Sequence, residues 1–269
     1  MPIRIDRLLI TGAAGLLGST LRRHYAGRFR HLRLSDRAPL GTAGPGEELV
    51  QAELRDATAI DALFEGVDAC VHLGGQPVEA PWPVVLEANI VGVINVWEAA
   101  RKAGTRRIVF ASSNHAIGFH PRTRRLDHTA PARPDSRYGL SKAFGEDVAL
   151  YYANKHGISA MCLRIGSARE RPIDERMLST WQSLPDFCRL VDVALTADYV
   201  YEIAYGVSAN PRSWWDNSRV EGLGYRPQDS AEAFADELRG KVTPEPVNEL
   251  FQGGPFCAPD FTGAIERIV

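Results

Sequence analysis

Cysteine is scarce in this chain. Four stand in 269 residues, at Cys70, Cys162, Cys188 and Cys257, too far apart for a metal-binding cluster. That spacing excludes a zinc ribbon or a disulfide scaffold and predicts reduced thiols in a cytoplasmic protein, with no metal. Charge of one sign is missing too: the net formal charge is −2, which removes the electrostatic case for nucleic acid or an anionic membrane as partner. No apolar run comes near the length of a membrane span. Internal repeats and low-complexity tracts are absent. The apolar N-terminus could pass for a signal peptide, but it continues into a strand and a glycine turn whose removal would destroy a ligand site. What remains is a length that can bury a substantial core as one domain, or as one domain with a small appendage.

The first positive signal is the turn Thr11-Gly12-Ala13-Ala14-Gly15-Leu16-Leu17-Gly18. It follows the apolar run Leu8-Leu9-Ile10 and precedes Leu16, Leu17, Thr20 and Leu21 at helical spacing, so the glycines sit between a strand and a helix. Backbone without side chains can approach a pyrophosphate there, and the helix N-terminus favours its charge. The spacing Gly12-x-x-Gly15-x-x-Gly18 is a variant of the dinucleotide fingerprint. A second strand ends at Asp36, about 20 residues on, where a carboxylate would bind the ribose hydroxyls and repel a 2′-phosphate. NAD is therefore the expected cofactor, with Arg37 beside the acid leaving NADP open.

Further strands are expected at residues 49–54, 69–73, 107–112 and 160–165, with helices at 58–64, 84–103 and from Tyr138 to about His156. Residues 41–48 and 118–137 read as flexible stretches. The βαβ alternation predicts an α/β doubly wound parallel sheet of Rossmann type, residues 1–167, followed by a small substrate-side segment, residues 168–269. In such sheets ligands bind beyond the carboxyl ends of the strands. Gly12, Asp36, Gly74, Ser112, Ser113 and Ser167 all fall at such ends. On the last helix Tyr138 and Lys142 are four apart and share a face. A phenol titrates near pH 10 and is a poor base at neutrality; an adjacent ammonium is expected to lower that pKa.

Together with His72-Leu73-Gly74-Gly75 and Ser112-Ser113, these motifs resemble the extended short-chain dehydrogenase/reductase superfamily. Longer strings are similar to the uronate dehydrogenases within it: Ser112-Ser113-Asn114-His115-Ala116-Ile117-Gly118, Arg133-Pro134-Asp135-Ser136-Arg137 leading into Tyr138, Arg164-Ile165-Gly166-Ser167, Arg176-Met177 and Ser213-Trp214-Trp215-Asp216-Asn217. The resemblance implies oxidation of a hexuronic acid (galacturonate or glucuronate) at C1 to an aldarolactone. It makes Tyr138 the base, Lys142 its partner and a ligand of the nicotinamide ribose, and Ser113, rather than Ser112, the hydroxyl that orients the reacting oxygen. Cofactor contacts fall on Gly12, Ala14, Gly15, Leu16, Leu17, Gly18, Asp36, Arg37, Glu53, Leu54, Leu73, Gly74 and Asn89. Sugar contacts fall on Gln76, Ser113, Asn114, His115 and Ser167.

An anionic sugar needs a cation, and Arg176 stands in the first segment after the sixth strand, with Arg169 and Arg171 as nearby rivals. Two departures from the family pattern are Glu53, where an aspartate is usual, and Gln76-Pro77, where a serine is usual. His72, Trp214 and Trp215 read as packing residues, and Arg122-Thr123-Arg124-Arg125 as a solvated loop face. Other enzymes of the superfamily, acting on a neutral aldose or as epimerase or reductase, and a non-catalytic NAD-binding sensor stay open as alternatives. A homodimer or higher homo-oligomer is the expected assembly.

Overall fold

Along β1 (Arg7–Thr11) successive side chains go to opposite faces, as strand geometry requires. Leu8 and Ile10 join one buried apolar cluster with Leu21, Tyr25, Phe187 and Val191; Leu9 joins another with Phe64, Trp97, Phe110 and Tyr152. The sheet is therefore covered on both sides, the usual condition for an all-parallel sheet. The structure, a computed structural model, describes residues 4–268. Its remaining strands are β2 (His31–Asp36), β3 (Glu47–Gln51), β4 (Ala69–His72), β5 (Arg107–Ser113), β6 (Ser159–Ile165), the short pair β7 (Ser167–Ala168) and β8 (Trp181–Gln182), and β9 (Tyr201–Gly206). The main sheet has the order β3-β2-β1-β4-β5-β6-β9, every neighbouring pair parallel. This is the doubly wound α/β sheet expected. Strand order reverses between β1 and β4, and that reversal opens a crevice at their carboxyl ends.

The third strand is shifted from the expected 49–54. Glu47 and Glu48 pair with Leu32 and Arg33, and the strand stops at Gln51. An edge strand tolerates charge because one side faces water, so Ala52, Glu53 and Leu54 are released into the loop beyond it. The stretch 118–137 is not loose either. Leu126 bridges to Trp215, His120 and Leu126 are buried, and Arg122 reaches Glu249 at 2.6 Å and the carbonyls of Asn248 and Phe251. Arg122 is thus an anchor for the C-terminal segment, not a solvated loop residue.

The helix Trp82–Ala103 has 22 residues and a mean hydropathy of 1.2 over its most apolar window, long and apolar enough to cross a membrane. That differs from the expectation drawn from the sequence. In the fold Val93, Val96, Trp97 and Ala100 bury its apolar face against the sheet, so core packing accounts for its composition. A π turn spans Leu86–Val91 and turns Asn89 inward; such turns concentrate at functional sites. The tyrosine helix, Arg137–His156, starts at Ser136, whose hydroxyl accepts from Gly139 N, and stops at Gly157 in the left-handed region. A Cβ on Gly145 would overlap the Phe110 ring, so glycine there lets the helix press against β5.

Candidate active site

The crevice between β1 and β4 is a cleft of about 390 Å³ whose lining includes Thr11, Gly12, Gly15, Asp36, Arg37, Glu53, Leu54, Leu73, Gly74 and Gln76. The helix Leu16–Tyr25 that starts on it has no side-chain cap and no acid in its first turn. Among the described residues no backbone acceptor takes the N–H groups of Leu16, Leu17 or Gly18, and these suit a pyrophosphate. The Ala14 N–H donates to Asp36 Oδ2 at 3.0 Å. With Ala38 N on Oδ1 at 2.9 Å, that bond fixes the carboxylate at the end of β2, where ribose hydroxyls would lie. Arg37 stands exposed beside it. Leu54 packs between Gly74 and Gly92 as an apolar wall. The cleft therefore fits a dinucleotide.

Gly12 holds φ at +70°, and a Cβ there would come within 2.7 Å of Leu73 C and Gly74 N. Gly12→Ala should cost about 1–3 kcal/mol of stability. That would show as a thermal midpoint roughly 2–12 °C lower, with weaker NAD binding by calorimetry; an unchanged midpoint would contradict the close approach. Below the turn, His72 is fully buried and bonded through Nδ1 to Thr11 Oγ1 at 2.7 Å, while Thr11 Oγ1 accepts from Gly74 N. Burial, and secondly the Lys142 charge, lower its pKa to about 3, so it stays neutral and braces β1 against β4.

Tyr138, Lys142 and Ser113 converge at the end of β5. Lys142 Nζ lies 5.5 Å from the Tyr138 ring centre and donates to Ala111 O at 2.8 Å. Ser112 points the other way, its hydroxyl 2.5 Å from Glu146 Oε1, where the buried Arg164 guanidinium also binds. The expected lowering of the tyrosine pKa is not found. Burial raises it to about 12, against a hydrogen bond from Ser113 that lowers it, with Asp135 adding to the rise. Burial also lowers Lys142 to about 8. Both side chains are dry, and desolvation disfavours the charged form of each. Asn89 does not open onto the cleft. Its Oδ1 accepts from Gln76 N at 2.7 Å, and its Nδ2 donates to Gln76 O and to Ser141 Oγ. It ties the loop after β4 to the tyrosine helix and fixes Gln76 by its backbone.

Beyond the tyrosine lies a polar pocket. Arg176 Nε and Nη2 donate to Gln252 O at 2.9 and 2.7 Å, and Nη1 reaches Ser167 Oγ at 3.3 Å. With its amide turned to satisfy both ends, Asn114 donates to Ile165 O and accepts from Arg176 Nη2 at 2.8 Å. All these partners are neutral, and burial lowers the guanidinium to about 10. Arg171 instead pairs with Glu237, and Arg169 contributes backbone contacts to β8 and Trp181. His115 stands edge-on to Tyr138, ring centres 5.8 Å apart. Trp215 is core, stacked on Tyr205 and bonded to Gln252 Oε1, with Trp214 packed alongside.

The model of the NAD dependent epimerase/dehydratase family matches residues 8–172. The chain belongs to that family. A uronate dehydrogenase from Pseudomonas putida is 46% identical over 256 residues, covering 94% of this chain and 96% of the relative. One from Agrobacterium fabrum is 48% identical over 256 residues, covering 94% and 97%. A solved structure of a mutant uronate dehydrogenase from Agrobacterium tumefaciens, complexed with NAD, superposes with a TM-score of 0.90 at 46% identity, covering 94% of this chain and 97% of that one.

Within this epimerase/dehydratase chain some neighbours of the site carry no signal in the spacing of motifs. Gln252 holds Arg176 by its carbonyl and Trp215 by its amide. Phe256 stacks on His115, ring centres 3.7 Å apart. Thr180 meets Ser167 Oγ at 3.0 Å. Asp135 lies inside a motif string but only the fold shows its contact with His115. The Arg176-Met177 string marked the arginine; nothing marked the carbonyl that aims it.

Proposed function

We propose that this chain is an NAD-dependent dehydrogenase that oxidises a hexuronic acid at C1 to the aldarolactone. The observation that carries the reading is Arg176, a guanidinium with only neutral partners beside a Ser113–Tyr138–Lys142 cluster. Asp174 and Asp135 act on it only from a distance, so a sugar carboxylate would be its bonded counter-charge, and hydrogen bonds to charged groups contribute about 1.5–3 kcal/mol. Near-full-length similarity to uronate dehydrogenases supports the same substrate class.

Bound NAD supplies the hydride acceptor for C1 and a positive charge near the phenol. Leu16, Leu17 and Gly18 would hold its pyrophosphate, Asp36 its adenosine ribose and Lys142 its nicotinamide ribose, while Glu53 and Leu54 would flank the adenine. Tyr138 takes the proton of the anomeric hydroxyl, and the Ser113 hydroxyl orients that oxygen. Lys142 Nζ, 5.5 Å from the ring centre, would add its charge to that of the nicotinamide, the two together acting against the burial that raises the phenol. Because C1 already bears the ring oxygen, loss of hydride and proton leaves a lactone without any ring opening. Asn114, His115, Ser167 and Gln76 surround the remaining hydroxyls, and Arg176 receives the carboxylate.

We further assign residues 1–167 to the cofactor half and 168–269 to the substrate side. Exposed Trp82, Leu86 and Ile94 on the long helix and Leu140, Leu150 and Tyr151 on the tyrosine helix suit pairing of two copies through that face. Four free, buried thiols suit a reducing cytoplasm. The direct test is NADH absorbance on mixing enzyme and NAD with galacturonate or glucuronate. Steady NADH formation is expected with at least one acid and not with a nucleotide sugar. Absence of NADH with both acids would refute the assignment.

A further inference from the structure

Asp135 is a sealed carboxylate at the edge of the sugar pocket. Its side chain is 0% exposed, and Oδ2 lies 2.7 Å from His115 Nδ1. Oδ1 accepts from Ser136 Oγ at 2.7 Å. The walls are backbone from three separate segments. A Cβ on Gly118 or Gly253 would overlap Asp135 Oδ2, and one on Gly139 would come within 3.0 Å of Oδ1. With its side chain shut off from solvent, the carboxylate has two donors, His115 Nδ1 and Ser136 Oγ. No lysine or arginine bonds to it among the described residues.

The imidazole it faces is held from every side. Phe256 stacks on one face, Tyr138 meets it edge-on and Asp135 grips Nδ1. Nε2 alone has no protein partner among the described residues and is not sealed from solvent. An ionised carboxylate only accepts hydrogen bonds, so Nδ1 must carry a proton. In the neutral ring Nε2 is then the lone-pair nitrogen.

We propose that Asp135 is a positioning residue that locks His115 in the Nδ1–H tautomer, so that Nε2 presents a fixed acceptor to a sugar hydroxyl beside the reacting carbon. This rests on the sugar-oxidation reading above. It gives the pocket a division of labour in which Arg176 answers a negative group and His115 answers an O–H donor. An acceptor in that place favours a hydroxyl over a second carboxylate.

The test has two independent arms. Nitrogen-15 NMR of histidine-labelled enzyme, recorded at a pH where the spectrum itself reports a neutral ring, should show His115 protonated at Nδ1, with Asp135→Asn moving the population towards Nε2–H. A wild-type ring protonated at Nε2 would overturn the proposal, and this measurement needs neither substrate nor variant. In kinetics Asp135→Asn should raise KM for galacturonate about tenfold, the worth of one hydrogen bond, with a smaller loss in kcat. Added to His115→Ala it should cost less than about twofold more, since residues acting as one unit are non-additive. Fully additive losses would make Asp135 a structural residue and refute the role. Should wild-type enzyme oxidise neither uronate, the functional reading falls while the NMR arm still decides the tautomer.

Discussion

Replacing Tyr138 with phenylalanine should lower kcat for uronate oxidation by about a thousandfold, the middle of the range for a positioned proton acceptor. NAD affinity should change little, because cofactor contacts along the glycine turn and Asp36 remain. A loss below tenfold would mean that another group takes the proton. The pH profile gives a second reading of the same residue. Oxidation needs the phenolate, and burial holds the phenol near 12 in the free chain, so the active form grows as pH rises through neutrality. The ammonium of Lys142 is lost as pH rises through about 8. The rate should therefore climb on the acid side and flatten or turn above about pH 8. A rate that falls between about pH 6 and 8 would contradict these assignments.

Arg176→Ala carries the second large effect. Loss of a charge-assisted contact worth about 1.5–3 kcal/mol corresponds to a KM for galacturonate roughly 10- to 200-fold higher. Turnover of a neutral aldose should be nearly untouched. Arg176→Lys should restore only part of the affinity, since a lysine keeps the charge but not the planar fork that Gln252 O and Ser167 Oγ hold. With its pKa lowered to about 10 by burial, the guanidinium is charged at neutral pH, and acid-sugar affinity should weaken only as pH passes that value. Equal losses on galacturonate and a neutral aldose would remove the carboxylate role.

Much of this could be read from the chain alone, for physical reasons that differ by region. The glycine turn, Asp36 and the tyrosine helix are local patterns, in which a few adjacent residues dictate backbone path and side-chain face. The edge of the sheet was harder: Glu47 and Glu48 look unlike a strand until β2 is known to pair with them. The Tyr138–Lys142 spacing located the pair but misjudged its electrostatics. Charge proximity can be counted along a helix, whereas desolvation depends on everything packed around it. Arg122 looked solvated for the same reason, its partners lying 126 to 129 residues away. Asp135 had no visible purpose until Gly118, Gly139 and Gly253 were brought around it.

The carbonyl that clamps Arg176 belongs to Gln252, 76 positions downstream. During synthesis the coenzyme crevice, lined between Thr11 and Ala88, leaves the ribosome ahead of Arg176 and Gln252. The sugar chamber lacks a wall until Gln252 has followed Arg176. A product ending between Arg176 and Gln252 would leave its guanidinium unclamped. Evolution, by the same logic, can exchange the tail to admit a different sugar while leaving the redox half intact.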